Sequence, residues 1–503
     1  MARYLMFQGT GSGVGKSLIV AGFCRIFARR GIRVAPFKAQ NMSLNSGVTP
    51  LGEEIGRAQM LQARAALVEP DSRMNPVLLK PQGDNISQVI VRGKVWKTYE
   101  AYEYYQHKEF LWEKVTESLN SLAEEFDLIC IEGAGSPAEI NLRDKDIVNM
   151  AVARYARVPV CLIGDIEKGG VFAQLYGTWA LLTNDERKLL CGFIINKFRG
   201  DSSILEPGLR EIEKLTGLPI LGVVPYSRFR LDEEDSMTEK IESPHLLPKT
   251  KAIQIGIIRF PHISNFTDFD PLESESDVEV QYLYPDESLS EKDVIILPGS
   301  KNTIHDLKWL ENHGFQEKLK QYVARGGVVL GVCGGYQMIG MRITDPHRVE
   351  SQEGEVKGLS LIPLETIIED EKTLQVVRRG WVASADQIPV KGYEIHMGRS
   401  YLLQSIPPFF VLHRENGIEP DGVVINDQIY GTYLHGLFDE GRFRRYFLNR
   451  VRNRKGLASI SSNTLSWQET VEGELDRLSD LLESTIDINQ IESALLKNSS
   501  FIQ

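Results

Sequence analysis

Short apolar runs, most of them ending in a glycine turn or a polar residue before a helical pattern, recur through the first half of this chain at roughly 30-residue intervals, save for one longer gap after Phe37. They are Tyr4 to Gln8, Arg33 to Phe37, Leu128 to Glu132, Pro159 to Asp165, Cys191 to Asn196 and Leu218 to Pro225. A run without polar alternation must be buried on both faces, and strands separated by helices pair in parallel. The pattern therefore dictates an α/β fold with a doubly wound parallel sheet, in which ligands meet the carboxyl ends of the strands. A second such series starts at Ile253 to Ile258 and continues through Asp293 to Leu297 and Val328 to Val332. Between the two, the acidic Leu231-Asp-Glu-Glu-Asp235 and the proline breaks before Lys251 interrupt all periodicity. The expectation is two doubly wound domains, 1–232 and 251–447, joined by a linker at 233–250 and followed by a helical tail at 448–503. Thr98 to Phe126 reads as one long helix with an aromatic core stripe.

The first strand runs into Gly9-Thr10-Gly11-Ser12-Gly13-Val14-Gly15-Lys16-Ser17, and Leu18, Val20, Phe23, Ile26 and Phe27 then recur at helical spacing. This is a phosphate-binding loop in its proper context: amides at a helix start face phosphate, Lys16 neutralises the terminal groups and the Ser17 hydroxyl can sit on magnesium. The loop is one residue longer than the strict spacing, since Thr10 stands where a glycine is expected. Glu132, at the tip of a buried strand, is placed to hold the metal, and Asp165 is a second candidate that reads equally well as a loop cap. Asn196 and Lys197 sit where a nucleotide base is met. Lys38, Gln40, Asn41, Ser43 and Asn45 follow the second strand, and two readings stand for them: contact with substrate, or satisfaction of loop backbone. The acids of Asp144 to Asn149 read as helix capping.

In the second half, Val328 to Val332 stops at Cys333, walled by Gly331, Gly334 and Gly335, and a helix begins. A thiol on a strand-to-helix turn is exposed at the sheet edge, needs small neighbours, and feels the positive end of the following helix. Val423 to Asn426 and Gln428 to Leu434 form a hairpin closed at Asp427, with His435 at its exit as the base for Cys333. Amides near Gly299 and Gly334 are the candidates for an oxyanion hole. Glu394 and His396 share one strand face, free to orient the base, bind substrate or pair with each other.

The bulk numbers exclude other classes. A net charge of -11 offers nucleic acid no general attraction, and no run approaches the roughly 20 apolar residues that span a bilayer. Five cysteines, Cys24, Cys130, Cys161, Cys191 and Cys333, lack metal-ligand spacing, and the first four fall inside apolar elements. They read as reduced thiols of a cytoplasmic protein. Nothing in the sequence speaks to oligomeric state.

Gly331-Val-Cys-Gly-Gly-Tyr-Gln337 resembles the nucleophile motif of class I, triad-type glutamine amidotransferases, and Leu297-Pro-Gly-Ser300 and His435 fall where that family has its oxyanion loop and histidine. The long phosphate loop resembles that of the dethiobiotin synthetase branch of P-loop enzymes. The domain order, with Lys38-Ala-Gln-Asn-Met-Ser43, Asp165-Ile-Glu-Lys-Gly-Gly170 and Gly392-Tyr-Glu-Ile-His396, resembles the cobyric acid synthase family over essentially the whole chain. The resemblance implies a glutamine-dependent ligase using ATP and Mg2+, with Gly299, Gly334 and Gln337 about the oxyanion and glutamine. Its substrate would be a corrinoid, adenosylcobyrinic acid a,c-diamide, amidated at its b, d, e and g carboxylates to adenosylcobyric acid in cobalamin biosynthesis. Rival readings are cobyrinic acid a,c-diamide synthase, the more remote CTP synthase, and a P-loop ATPase scaffold carrying an inactive amidotransferase domain. One departure stands out: the glutamate usual two residues after the histidine is Leu437. The resemblance therefore implies a Cys333–His435 dyad, unless Glu394 or a carbonyl replaces the missing acid.

Overall fold

The computed structural model describes residues 2–82, 86–231, 251–414, 417–461 and 465–499. The chain divides into two compact units, one of Met1–Ser43, Glu53–Asp235 and Val471–Gln503, the other of Leu44–Gly52 and Ser236–Thr470. The linker expected at 233–250 lies outside the described residues. The division departs from the expected 1–232 and 251–447 in two places: Leu44–Gly52 joins the second unit, and the latter part of the 448–503 tail joins the first.

In the first unit six strands, all parallel, lie in the order Ile220–Pro225, Leu190–Phe198, Val160–Asp165, Arg3–Gly9, Leu128–Glu132, Val34–Phe37. These are the apolar runs read from the sequence. The chain winds to one side of Arg3–Gly9 and then to the other, so the loop after this strand opens at the switch point of the sheet. The expected helix over 98–126 is shorter. Lys94–Glu100 is a strand, paired with Ile86–Val91 in a separate four-stranded sheet, and the main helix runs Lys108–Glu125. Val95, Trp96, Thr98 and Tyr99 favour the pleated conformation once a neighbouring strand is available.

The helix Trp467–Thr485 covers the helix Lys16–Arg29. A Cβ on Gly22 would lie 2.3 Å from Leu482 Cδ1, so the two approach closely only because position 22 has no side chain. Arg25, buried by the contact, pairs with Glu472 at 2.9 Å and Asp476 at 2.8 Å.

The second unit is built on the strands Val278–Leu283, Ile253–Ile258, Val294–Leu297, Val328–Val332 and Ile429–Thr432, all parallel, with Val423–Ile425 antiparallel at the edge. The expected hairpin at 423–434 closes through Asn426 (φ 52°) and Asp427 (φ 53°), the two left-handed residues of a type I′ turn. A second sheet carries the long pair Leu364–Val382 and Ala385–Leu402. The arginine-rich helix Gly441–Arg454 buries Arg444 and Arg445 against Glu275 and Asp277, which pair the charges that burial would otherwise strand. No described helix is long and apolar enough to cross a membrane.

Candidate functional site

Cys333 ends the buried strand Val328–Val332 and caps the short helix Gly334–Met338. Its backbone has φ 53° and ψ −109°, a conformation that costs a side-chain-bearing residue energy and persists only where the surroundings enforce it. The enforcement is visible. A Cβ on Gly335 would lie 1.9 Å from the Leu297 carbonyl oxygen, and one on Gly331 2.7 Å from that of Gly335, so the turn closes only around glycine. The thiol donates to the Ile395 carbonyl at 3.5 Å.

His435, 1% exposed, is fixed on three sides. Its amide donates to the Tyr393 carbonyl at 2.8 Å, its ring stacks on that of Tyr393 at 5.2 Å, and Nδ1 meets Asp268 Oδ2 at 2.6 Å. Asp268 Oδ1 also accepts the Gly436 amide at 3.1 Å. Nε2 is buried with no other hydrogen-bond partner among the described residues. Burial by itself pushes the imidazole pKa down, but the Asp268 carboxylate, with Cys333 adding to it, more than reverses this and raises it to about 10. An acid thus does meet the His435 ring, Asp268, although position 437 carries leucine. Leu437 itself is fully buried in the apolar core.

Glu394 does not orient the histidine. It is held by Arg414, whose Nε lies 3.0 Å from Glu394 Oε2. His396 pairs with neither: its Nδ1 lies 2.7 Å from the Gly398 carbonyl, its ring stacks on Tyr433 at 3.9 Å, and burial pushes its pKa down to about 3. Gly299 and Gly334 do come to the site. Cβ atoms there would lie 3.1 Å from His435 Cε1 and 2.9 Å from the Ser300 amide nitrogen. Gln337 is buried below them, accepting from the Thr303 hydroxyl and donating to Tyr433 at 3.2 Å each. Asp306, which sequence reading passed over, accepts the Ser300 hydroxyl at 2.6 Å and pairs with His262 at 2.8 Å, and so steadies the Leu297–Ser300 turn.

In the first unit the loop after Arg3–Gly9 turns through Gly13 (φ 70°) and Gly15 (φ 92°) into the helix Lys16–Arg29. Lys16 Nζ donates to the carbonyls of Gly11 (2.8 Å) and Gly135 (3.2 Å). Asn196 and Lys197 hold the loop rather than stand apart from it, donating to the carbonyls of Val14 (2.9 Å) and Gly13 (2.8 Å).

Ser17, Lys38 and Glu132 are brought together. Glu132 Oε1 accepts the Ser17 hydroxyl at 2.9 Å and lies 2.9 Å from Lys38 Nζ, while Gln62 donates to Oε2 at 2.5 Å. Burial raises the Glu132 pKa, yet Lys38, Gln62 and Lys16 outweigh it and hold the carboxyl below its usual range. An ionised, buried carboxylate beside a hydroxyl on the phosphate loop is a donor set suited to magnesium. Asp165 ends the strand on the other side of Arg3–Gly9 from that of Glu132. It accepts the Glu167 amide at 2.8 Å and lies 3.1 Å from Lys197, the loop-cap arrangement. Asp146 caps likewise, accepting the amides of Val148, Asn149 and Ala151 at 2.8 Å each. Gln40 accepts from Tyr104, Asn41 donates to Gln59 at 3.1 Å, and Ser43 donates its amide to Leu79. Asn45 lies in the second unit.

Residues 5–237 match the family described as the CobQ/CobB/MinD/ParA nucleotide binding domain, and residues 254–443 the CobB/CobQ-like glutamine amidotransferase domain. Curated relatives match over the full length. Cobyric acid synthase of Thermoanaerobacter sp. (strain X514) is 47% identical, covering 98% of each chain. The protein of the same name from Streptococcus sanguinis (strain SK36) is 44% identical over 98% of each chain, and that from Salmonella heidelberg (strain SL476) 47% over 98% of each.

Proposed function

The chain belongs to the cobyric acid synthase family, and from that premise we propose that its two units perform one reaction in two stages, ammonia release at Cys333 and carboxylate activation at the phosphate loop. It is a glutamine-dependent ligase of cobalamin biosynthesis, amidating the b, d, e and g carboxylates of adenosylcobyrinic acid a,c-diamide to give adenosylcobyric acid. With the proton of the Cys333–His435 pair on His435 Nε2, the Cys333 sulfur attacks the side-chain carbonyl of glutamine, and the developing oxyanion is met by amides at Gly299 and Gly334. His435 gives its Nε2 proton to the departing ammonia, then takes one from the water that frees glutamate from the thioester. Asp268 holds the ring in the orientation both steps need.

In the first unit the amides of Gly9 to Ser17 receive the ATP phosphates, and Lys16 exchanges the Gly11 and Gly135 carbonyls for phosphate oxygens. Ser17 and Glu132 would hold a magnesium ion, which supplies neutralising charge for phosphoryl transfer. Lys38, released from Glu132, would meet the acceptor carboxylate. The substrate acid becomes an acyl phosphate that ammonia can displace, since a free carboxylate is too poor an acyl donor. Glutamine and the corrinoid are the substrates, and the cobalt belongs to the corrinoid.

The Asp268–His435 bond is the observation that favours this reading over a scaffold with a silent amidotransferase domain, because a domain without turnover has no use for an oriented base. The test is mass spectrometry of the corrinoid after incubation with ATP, magnesium and glutamine. Four successive amidations are expected. Two would select the a,c-diamide enzyme, and none would overturn the ligase.

A further inference from the structure

Leu44–Gly52 lies between two segments of the first unit yet folds with the second. Its bonds there are reciprocal. The Asn45 side-chain oxygen accepts the Phe266 amide at 3.2 Å, and the Asn265 side-chain oxygen accepts the Ser46 amide at 3.1 Å. Both asparagines are 2% exposed, so each bond is made out of water, where leaving an amide without its acceptor costs most. Asn265 is left-handed at φ 52°, and this turn starts the short helix Phe266–Phe269 on which Asp268 stands. Three residues along the segment, Val48 packs into a cluster with Tyr393 and Ile395. Tyr393 stacks on His435, and the Ile395 carbonyl receives the Cys333 thiol.

We propose that Leu44–Gly52 is a positioning segment for the thiol site, with Asn45 and Asn265 as its positioning residues. They fix where the Asp268 turn begins, Asp268 fixes the His435 ring, and Val48 backs the strand against which ring and thiol are set. The segment follows Ser43 and precedes Glu53, both in the first unit, so the chain leaves that fold to complete the thiol site of the second and then returns. This rests on the reading of Cys333, His435 and Asp268 as the glutaminase array.

The test uses the full chain with Asn45→Ala and Asn265→Ala, measuring glutamine hydrolysis beside amidation driven by ammonium. Glutaminase kcat is expected to fall about 10-fold or more, with the glutamine KM and the ammonium-driven rate each within about 2-fold of wild type. Asn45→Asp and Asn265→Asp keep the acceptor oxygen at the cost of a buried charge and are expected to recover part of the lost kcat. An unchanged kcat in both alanine variants would overturn the proposal. So would a parallel loss of both activities, or aspartates no better than alanines. Cys333→Ser separates the two levels: residual glutaminase there would sink the thiol reading itself, whereas a dead Cys333→Ser beside wild-type alanine variants would sink the positioning role alone.

Discussion

Asp268 and Leu437 exchange roles between them. Two residues after His435 the chain carries a side chain buried in the apolar core, and the acid that meets Nδ1 comes from 167 residues upstream. Asp268→Asn keeps the shape and removes the charge, and is expected to lower glutaminase kcat about 10- to 100-fold while ammonium-driven amidation continues. The pH profile carries a second signature. With its pKa raised to about 10, the imidazole keeps its proton through the neutral range and loses it only in strong alkali. Without the Asp268 charge the pKa falls, so the alkaline limb of kcat/KM for glutamine should move to lower pH. Leu437→Glu, which restores the acid usual at that position, is expected to destabilise the unit by several kcal/mol with no gain in rate, since it buries an unpaired charge. Thermal melts of the variant check it. Cys333 and His435 were legible because each is announced by its neighbours, glycines around one and a strand exit before the other. Asp268 was not, because a local reading of Asn-Phe-Thr-Asp-Phe-Asp gives only a capped turn, and nothing along the chain ties it to residue 435.

At the level of elements, the fully buried parallel strands were legible, as was the hairpin at 423–434, whereas the exposed antiparallel strands were not. Leu128–Glu132 and Val328–Val332 are buried at every position, which leaves no polar alternation to confuse the pattern. Lys94–Glu100 is mostly exposed and paired along one edge, so its residues read equally well as the start of the helix that follows. The phosphate loop was legible down to its glycines. At Gly15, φ is 92° and a Cβ would fall 2.3 Å from Asn196 Nδ2, the group that holds the loop through Val14. Gly15→Ala therefore strains the backbone and displaces that brace. ATP binding measured by calorimetry is expected to weaken by about 1 kcal/mol or more, and ammonium-driven amidation to fall with it. Glutamine hydrolysis should be untouched.

The whole chain makes two units from interleaved segments, and that could not be read from sequence. The amphipathic pattern after Ser466 said that a helix there must pack, but amphipathicity does not name the surface it packs on. In the structure Leu478 and Leu482 lie against Gly22, and Arg25 and Arg29 are paired to acids of the same helix. Ending the chain at Thr470 strips that cover from the helix that carries Lys16 and Ser17. The expected result is a melting temperature lower by several degrees and a loss of ATP-dependent amidation, read by calorimetry and product assay. The return of Val471–Gln503 to the first unit also sets the timetable of folding on the ribosome. Domains ordinarily fold in the order they emerge. Here the half made first waits, with one flank of its nucleotide helix bare, until the codons for Val471–Gln503 are read, and a gene split between the two series would encode a first product that never receives that covering helix.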